Sequence, residues 1–131
     1  ADVAARTYQM AGFPVDTITY AELHGIGSPT ADAAEIESLQ QAFAAAKGRS
    51  FCAIGSMTPN IGNLEPVSGM AGLFKILLAF RHRTLPPNIN LSELNPYLDL
   101  EQGPFYICTK RQDWKPTDVN GDSIPRRAAL N

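Results

Sequence analysis

The order of the predicted elements indicates an α/β protein in which neighbouring strands run parallel. Apolar, strand-like runs alternate with helical patterns through most of the chain, and a long irregular segment precedes the last clear strand. Such alternation is typical of a sheet covered by helices. With 131 residues and 44% apolar content, the chain is about the size of a single domain with one core.

The first helix is predicted at residues 1–11, where Gly12 and Pro14 follow an amphipathic pattern. Residues 17–22 are β-branched and aromatic, which predicts a short strand. Asp32 and Glu35 have the spacing of a capping box, with Asp in place of the usual Ser or Thr. We therefore expect the next helix to begin at this pair and to continue to residue 46.

A second strand and helix are predicted over residues 51–82. Residues 51–57 form a short apolar run that suits a buried strand, and residues 58–64 form a polar loop. From residue 65 to about 82, apolar side chains cover most faces of a helix, and such a helix is buried in a layered fold. The main apolar stripe consists of Val67, Met70, Ala71, Phe74, Leu77 and Leu78. Gly69, Ala71 and Gly72 would allow close backbone approach.

The remainder of the chain changes character. Residues 84–104 are rich in proline and asparagine, which predicts an extended, ordered segment with little regular structure. Residues 105–109 are a strand candidate, and the part that follows is polar and rich in turns.

Two polar loops are expected to meet at one edge of the sheet. The loops at residues 23–31 and 58–64 each leave the carboxyl end of a predicted strand and lead into a helix. If the two strands are parallel neighbours, both loops open at the edge where open α/β sheets bind ligands. The sequence therefore predicts one candidate site made from both loops.

Composition excludes several functional classes. The net charge is −2, from 11 Lys+Arg against 13 Asp+Glu, and the charges are scattered. This favours neither nucleic acid nor an anionic membrane as partner. The apolar run at residues 69–80 contains Lys75 and is too short to span a bilayer. No secretory signal is visible, and two cysteines without a disulfide framework favour a reduced, cytoplasmic setting. Two histidines far apart in sequence argue against metal ligation.

Among the polar side chains of the two loops, His24 is the strongest candidate for chemistry. An imidazole beside two glycines could donate to an oxyanion or transfer a proton, although a histidine that only caps a turn is the plainer alternative. Thr58, Asn60 and Asn63 do not titrate near pH 7. On residue chemistry alone they are better explained as turn formers. Cys52 and Cys108 lie in apolar runs and are expected to be inert buried thiols.

Four segments in the same order resemble the β-ketoacyl synthase (ketosynthase) domains of modular type I polyketide synthases. Residues 22–29 with Asp32 and Glu35 resemble the family's EAHGTGTPLGDPIE, and residues 56–69 resemble SVKSNIGHLEAAAG. Residues 73–87 and 94–106 match the helix and loop that follow, and residues 125–128 match the start of PRRAGVSSFGFGGTN. Residues 95–106 are most similar to synthases that use free-standing acyltransferases.

The resemblance implies a thiolase-like α/β fold of which residues 1–131 would be the second half only, with a mixed sheet layered with helices and one largely buried helix. The nucleophile-bearing upstream half and the final glycine-rich strands would lie outside the chain. Family members load an acyl chain onto a cysteine of that upstream half, a role held by neither Cys52 nor Cys108. They then decarboxylate a malonyl thioester on the phosphopantetheine arm of an acyl carrier protein and join the two. The implied partners are the carrier protein, the rest of the domain and a second subunit, and no cofactor is bound by the domain itself.

The family's site residues carry over only in part. His24 matches the first of two histidines that stabilise the thioester enolate, whereas Asn63 stands at the second and Thr58 at a lysine. Ile26 and Ser28 stand at two threonines that bond the pantetheine arm, and Asn60 is retained. This pattern implies an acyltransferase-type domain deficient in condensation that retains at most acyl transfer or gatekeeping. A non-catalytic scaffold that contacts carrier proteins is the alternative, and a self-standing binding protein is the weakest one.

Overall fold

A computed structural model describes residues 2–119 and 122–131. Its centre is a four-stranded sheet in the order β4-β2-β1-β8. All three strand pairs in this sheet are parallel, with Tyr20 opposite Ala53 between β1 and β2. The strands of this sheet are β1 (Tyr20–Leu23), β2 (Cys52–Ser56), β4 (Phe105–Ile107) and β8 (Ala128–Leu130). The α/β class and the parallel pairing of the first two strands are therefore confirmed.

The helices lie on both faces of the sheet. They are α1 (Asp2–Ala11), α2 (Pro29–Ala42), α3 (Thr58–Ile61) and α4 (Ser68–His82). Because successive side chains of a strand point to opposite faces, the central strands feed two cores. Ala21 and Ile54 belong to one core with Leu39 and Phe43 of the α2 region, and Tyr20 belongs to the other with Ile76 of α4.

Several predicted boundaries shift. The first strand was predicted from residue 17, but Val15–Thr17 form a 3-10 turn and β1 begins at Tyr20. The predicted loop 58–64 contains one helical turn, α3, and a second 3-10 turn, Glu65–Val67, precedes α4. The prediction that α2 begins at an Asp32–Glu35 capping box is wrong. Ser28 is the N-cap, and its side chain accepts from the backbone N–H of Ala31.

The polar end of the chain contains structure that the sequence did not indicate. Strand β8 pairs with β1 and completes the central sheet. Two antiparallel ladders stand beside it, one between β3 (Thr84–Leu85) and β5 (Gln112–Asp113), the other between β6 (Thr117–Val119) and β7 (Asp122–Ile124). Between β3 and β4, residues 86–104 form no helix or strand, as predicted.

Helix α4 buries only one narrow face within the described residues. Ile76 and Ala79 pack towards the sheet, and Gly72 is buried beside them. Most of the predicted apolar stripe is instead exposed: Val67, Met70, Phe74, Leu77 and Leu78. The stripe therefore faces away from the sheet of this chain. No helix among the described residues has the length and apolar character needed to cross a membrane.

Candidate functional site

The two polar loops meet at the carboxyl edge of the sheet, as the sequence predicts. The backbone carbonyl of His24, just after β1, accepts hydrogen bonds from Ser56 Oγ at 2.8 Å and Thr58 Oγ1 at 2.7 Å. Gly25 follows with a φ of +56°, and a Cβ at this position would lie 3.0 Å from both Cβ and Oγ of Ser56. Glycine is therefore needed here for the backbone angle and for the close approach of the two loops.

A carboxylate on α2 holds the other side of the same peptide. Glu35 Oε1 accepts from the His24 N–H at 2.9 Å, and Oε2 accepts from the Gly25 N–H at 3.0 Å. Asp32 accepts similarly from the N–H of Gly27 at 3.2 Å. The helix begins before these acids, at Pro29, so both carboxylates reach back to the preceding loop instead of capping their own helix. Charge-assisted bonds of this kind are stronger than neutral ones and fix the loop firmly.

Beneath the loops lies a buried ionic cluster that the sequence analysis missed. Glu22 is 2% exposed, and its Oε2 accepts from Tyr20 Oη at 2.5 Å and pairs with Lys75 Nζ at 2.8 Å. Burial and the adjacent Glu22 carboxylate raise the pKa of the Tyr20 hydroxyl, which keeps it a donor. The signal was one charged residue in each of two apolar elements, since a buried charge is almost never left unpaired.

A small cavity of about 20 Å³ lies between the loops and this cluster. Glu22, His24, Thr58 and Gly62 are among the residues that line it. A volume of this order holds about one water molecule. Glu22 Oε1 is buried and has no hydrogen-bond partner among the described residues. His24 is half-buried at the wall of this cavity, and its imidazole forms no hydrogen bond with the described residues.

Asn63 and Asn60 both lie in the second loop, but their side chains have different surroundings. The Asn63 side chain is exposed, and its Oδ1 accepts from the Glu65 N–H at 2.9 Å and from Ser68 Oγ at 3.4 Å. These bonds support the 3-10 turn before α4, as the turn-forming alternative predicts. Asn60 lines a second, larger groove of about 690 Å³ together with Met57 and Phe74.

The two candidate pantetheine contacts of the first loop also differ. Ile26 is 45% exposed and is available at the surface. Ser28 is half-buried, and its hydroxyl accepts from the Ala31 N–H at 3.5 Å as the cap of α2. The serine oxygen therefore already serves the helix, although its own proton remains available for donation.

Neither cysteine has the surroundings of a nucleophile. Cys52 and Cys108 are both buried, and burial raises the pKa of each thiol. Because the thiolate is the reactive form, the raised pKa lowers the nucleophilic reactivity of both thiols. Across residues 2–119 and 122–131, no group of three or more His, Cys, Asp and Glu side chains is arranged to hold a metal ion. His82 lies in the last turn of α4, as predicted, and is exposed.

Asn88 is a structural residue of the site that sequence reasoning did not find. Its Oδ1 accepts from the Ser56 N–H at 3.2 Å, and its Nδ2 donates to the Ile54 carbonyl at 2.8 Å. Its own N–H donates to the Cys108 carbonyl at 2.7 Å. One asparagine of the irregular segment thus ties the ends of β2 and β4 together. Its only sequence signal is an asparagine in a proline-rich run.

Comparison with known proteins gives consistent matches. Residues 1–92 match the family described as "Beta-ketoacyl synthase, C-terminal domain". The chain is 38% identical, over its whole length, to polyketide synthase PksN of Bacillus subtilis (strain 168), of which it covers 2%. Ketosynthase twelve of the bacillaene polyketide synthase from Bacillus amyloliquefaciens superimposes with a TM-score of 0.89 at 34% identity, over 98% of this chain and 22% of that one. The module 6 ketosynthase of the Bacillus subtilis 168 bacillaene synthase gives 0.85 at 36% identity, over 94% and 21%.

These matches cover the chain but only a small part of each relative. The chain spans 2–3% of the length of the first curated synthases and about a fifth of the solved ketosynthase chains. Its architecture is therefore the thiolase-like α/β arrangement of the ketosynthases, in the C-terminal half of the domain.

Proposed function

The chain belongs to the β-ketoacyl synthase family, as its C-terminal domain, and from this premise we propose that it handles acyl chains delivered as carrier-protein thioesters without elongating them. It would act as part of a polyketide synthase ketosynthase domain, completed by an upstream half that bears the nucleophile. The similarity of residues 95–106 to synthases that use free-standing acyltransferases supports a parent synthase of that kind.

The observation that carries the proposal is the chemistry of positions 58 and 63. Thr58 and Asn63 stand where the family has a lysine and a second histidine, and neither side chain can carry a proton near pH 7. Both are also occupied locally, since Thr58 bonds the His24 carbonyl and Asn63 Oδ1 bonds Glu65 and Ser68. Loss of one oxyanion donor typically lowers a rate by about 10²–10³, and losses within one constellation are not additive.

The groups that remain support binding or transfer of an acyl thioester. The imidazole of His24 forms no hydrogen bond with the described residues, and one carboxylate and two hydroxyl contacts hold its backbone while a second carboxylate contact holds the N–H of Gly25. The phosphopantetheine arm of an acyl carrier protein would approach Ile26, Ser28 and Asn60. No cofactor of the domain's own is required for this chemistry. The whole domain would be a cytoplasmic homodimer, in keeping with the resemblance.

A non-catalytic scaffold is the second candidate. The side chains of Thr58, Asn63 and Ser28 all act in local structure, and both thiols of the chain are suppressed by burial. A scaffold would keep carrier-protein contacts and lose acylation.

The test uses the whole ketosynthase domain with an acyl carrier protein loaded with a malonyl group, beside an elongating ketosynthase as control. We expect acylation of the domain by an acyl thioester, seen as a mass increase, and no condensation product. Condensation at the control's rate would refute the proposal. A His24→Ala variant that is acylated at the same rate as the parent domain would refute it as well. Absence of any acylation would select the scaffold.

A further inference from the structure

Both backbone polar groups of His24 are bonded to side chains from other parts of the fold. The N–H donates to Glu35 on α2, and the carbonyl accepts from Ser56 Oγ and Thr58 Oγ1. A carbonyl oxygen has two lone pairs, so this one is fully used. The His24 peptide is therefore held from two directions, by α2 and by the second loop.

Thr58 is itself firmly placed. It begins α3, and its own N–H donates to Ser56 Oγ at 3.1 Å. Ser56 in turn donates its N–H to Asn88 Oδ1 at 3.2 Å. Thr58 is half-buried, and its hydroxyl donates to the His24 carbonyl of the first loop at 2.7 Å. This is the shorter of the two hydrogen bonds to that carbonyl.

We propose that Thr58 is a positioning residue for His24. Its hydroxyl links the two loops at the position where the family carries a lysine. Thr58 acts through the His24 peptide and needs no contact with a ligand. The replacement thus has a structural consequence in addition to the loss of a charge. This positioning role goes beyond the proposed function, because Thr58 holds His24 whether or not the domain transfers acyl chains.

The test therefore measures the His24 imidazole directly. In the whole ketosynthase domain, the rate of carbethoxylation of His24 by diethylpyrocarbonate is followed by peptide mass spectrometry. Thr58→Val keeps the shape of the side chain and removes the hydroxyl. From the net worth of one hydrogen bond, we expect the His24 rate to rise about fivefold in Thr58→Val and to stay within about twofold of the parent in Thr58→Ser.

The chain provides a matched control in Thr84. Its hydroxyl also donates to a histidine carbonyl, that of His82, at 3.0 Å, but this carbonyl belongs to the last residue of α4 and not to either polar loop. Thr84→Val should leave the His24 rate unchanged. If Thr58→Val does not fold, Thr58→Ala removes the same hydroxyl without placing a second methyl group beside the carbonyl. An unchanged His24 rate in the hydroxyl-free variant would overturn the proposal, and so would a serine variant as reactive as the valine variant.

Discussion

Lys75 Nζ lies 2.8 Å from Glu22 Oε2, and this ion pair joins α4 to the central strand β1 directly beneath the loop of His24. The side chains of the pair are 10% and 2% exposed, so neither charge has much water around it. Tyr20 adds a hydrogen bond to the same oxygen, and the ammonium also lies 5.8 Å from the centre of the Tyr20 ring. Removal of one partner would leave a buried charge unpaired.

We therefore expect Lys75→Met to lower the free energy of unfolding of the whole domain by about 3–5 kcal/mol, the usual cost of breaking a buried pair from one side. Urea unfolding of the purified domain measures this. In the double variant Glu22→Gln, Lys75→Met the charge is gone from both sides, and most of the lost stability should return. The exposed Lys47 provides a control, because Lys47→Met should change stability by less than about 0.5 kcal/mol. A double variant as unstable as the single one would contradict the assignment.

Two glycines on the same face of α4 should respond oppositely to alanine. A Cβ at Gly72 would lie 2.7 Å from Leu130 Cδ1 and 3.0 Å from Glu22 Cγ, whereas a Cβ at Gly69 would meet nothing within 4 Å. Overpacking of this kind costs about 1–3 kcal/mol. Gly72→Ala should therefore lower the unfolding free energy by that amount, while Gly69→Ala should be neutral or raise it by up to about 1 kcal/mol through helix propensity. Denaturant unfolding of both variants decides, and equal effects would show that the contact with Glu22 is not tight.

The two thiols should be slow to alkylate. Burial raises the pKa of Cys52 and of Cys108, so the thiolate fraction of each is smaller than that of an exposed cysteine at the same pH. At about pH 8, where an exposed thiol is substantially ionised, iodoacetamide should leave both unmodified in the native domain and label both in urea. Peptide mass spectrometry measures the label. Rapid labelling of either cysteine in the native domain would contradict this prediction and make that cysteine a candidate nucleophile.

The exposed apolar face of α4 should make the isolated chain aggregate or bind apolar dyes. Met70, Phe74, Leu77 and Leu78 are each more than half exposed, and contiguous apolar patches are rare on soluble monomers. The isolated chain should therefore give strong fluorescence with anilinonaphthalene sulfonate, and Phe74→Glu with Leu78→Lys should reduce both the fluorescence and the aggregation. A monomeric, cooperatively melting isolated chain without dye binding would contradict this.

The sequence correctly predicted that the two polar loops meet, and it did so for a local reason. Strand-like runs at residues 17–22 and 51–57, separated by a helical pattern, indicated parallel neighbours, and parallel neighbours place the loops that follow them at one edge of the sheet. Strand β8 was missed because Ala128–Leu130 is a short run whose pairing with β1 is entirely non-local. Asp32 and Glu35 were correctly predicted to accept hydrogen bonds from backbone N–H groups, but the predicted partners were wrong. Two acids near a helix start can bond either the helix or the loop before it, and here they bond Gly27 and Gly25 of the loop.

What the sequence determined by itself was the class of fold, the family resemblance, the meeting of the two loops and the identity of the side chains at positions 24, 58 and 63. These depend on local pattern and residue chemistry. What only the tertiary structure decided was which atoms those side chains bond: Thr58 to the His24 carbonyl, Asn63 to the turn before α4, and Glu22 to Lys75. The residues of the first and third pairs are far apart along the chain, and hydrogen bonds and ion pairs form only at contact distance. Their choice of partner is therefore settled only when the helices pack on the sheet.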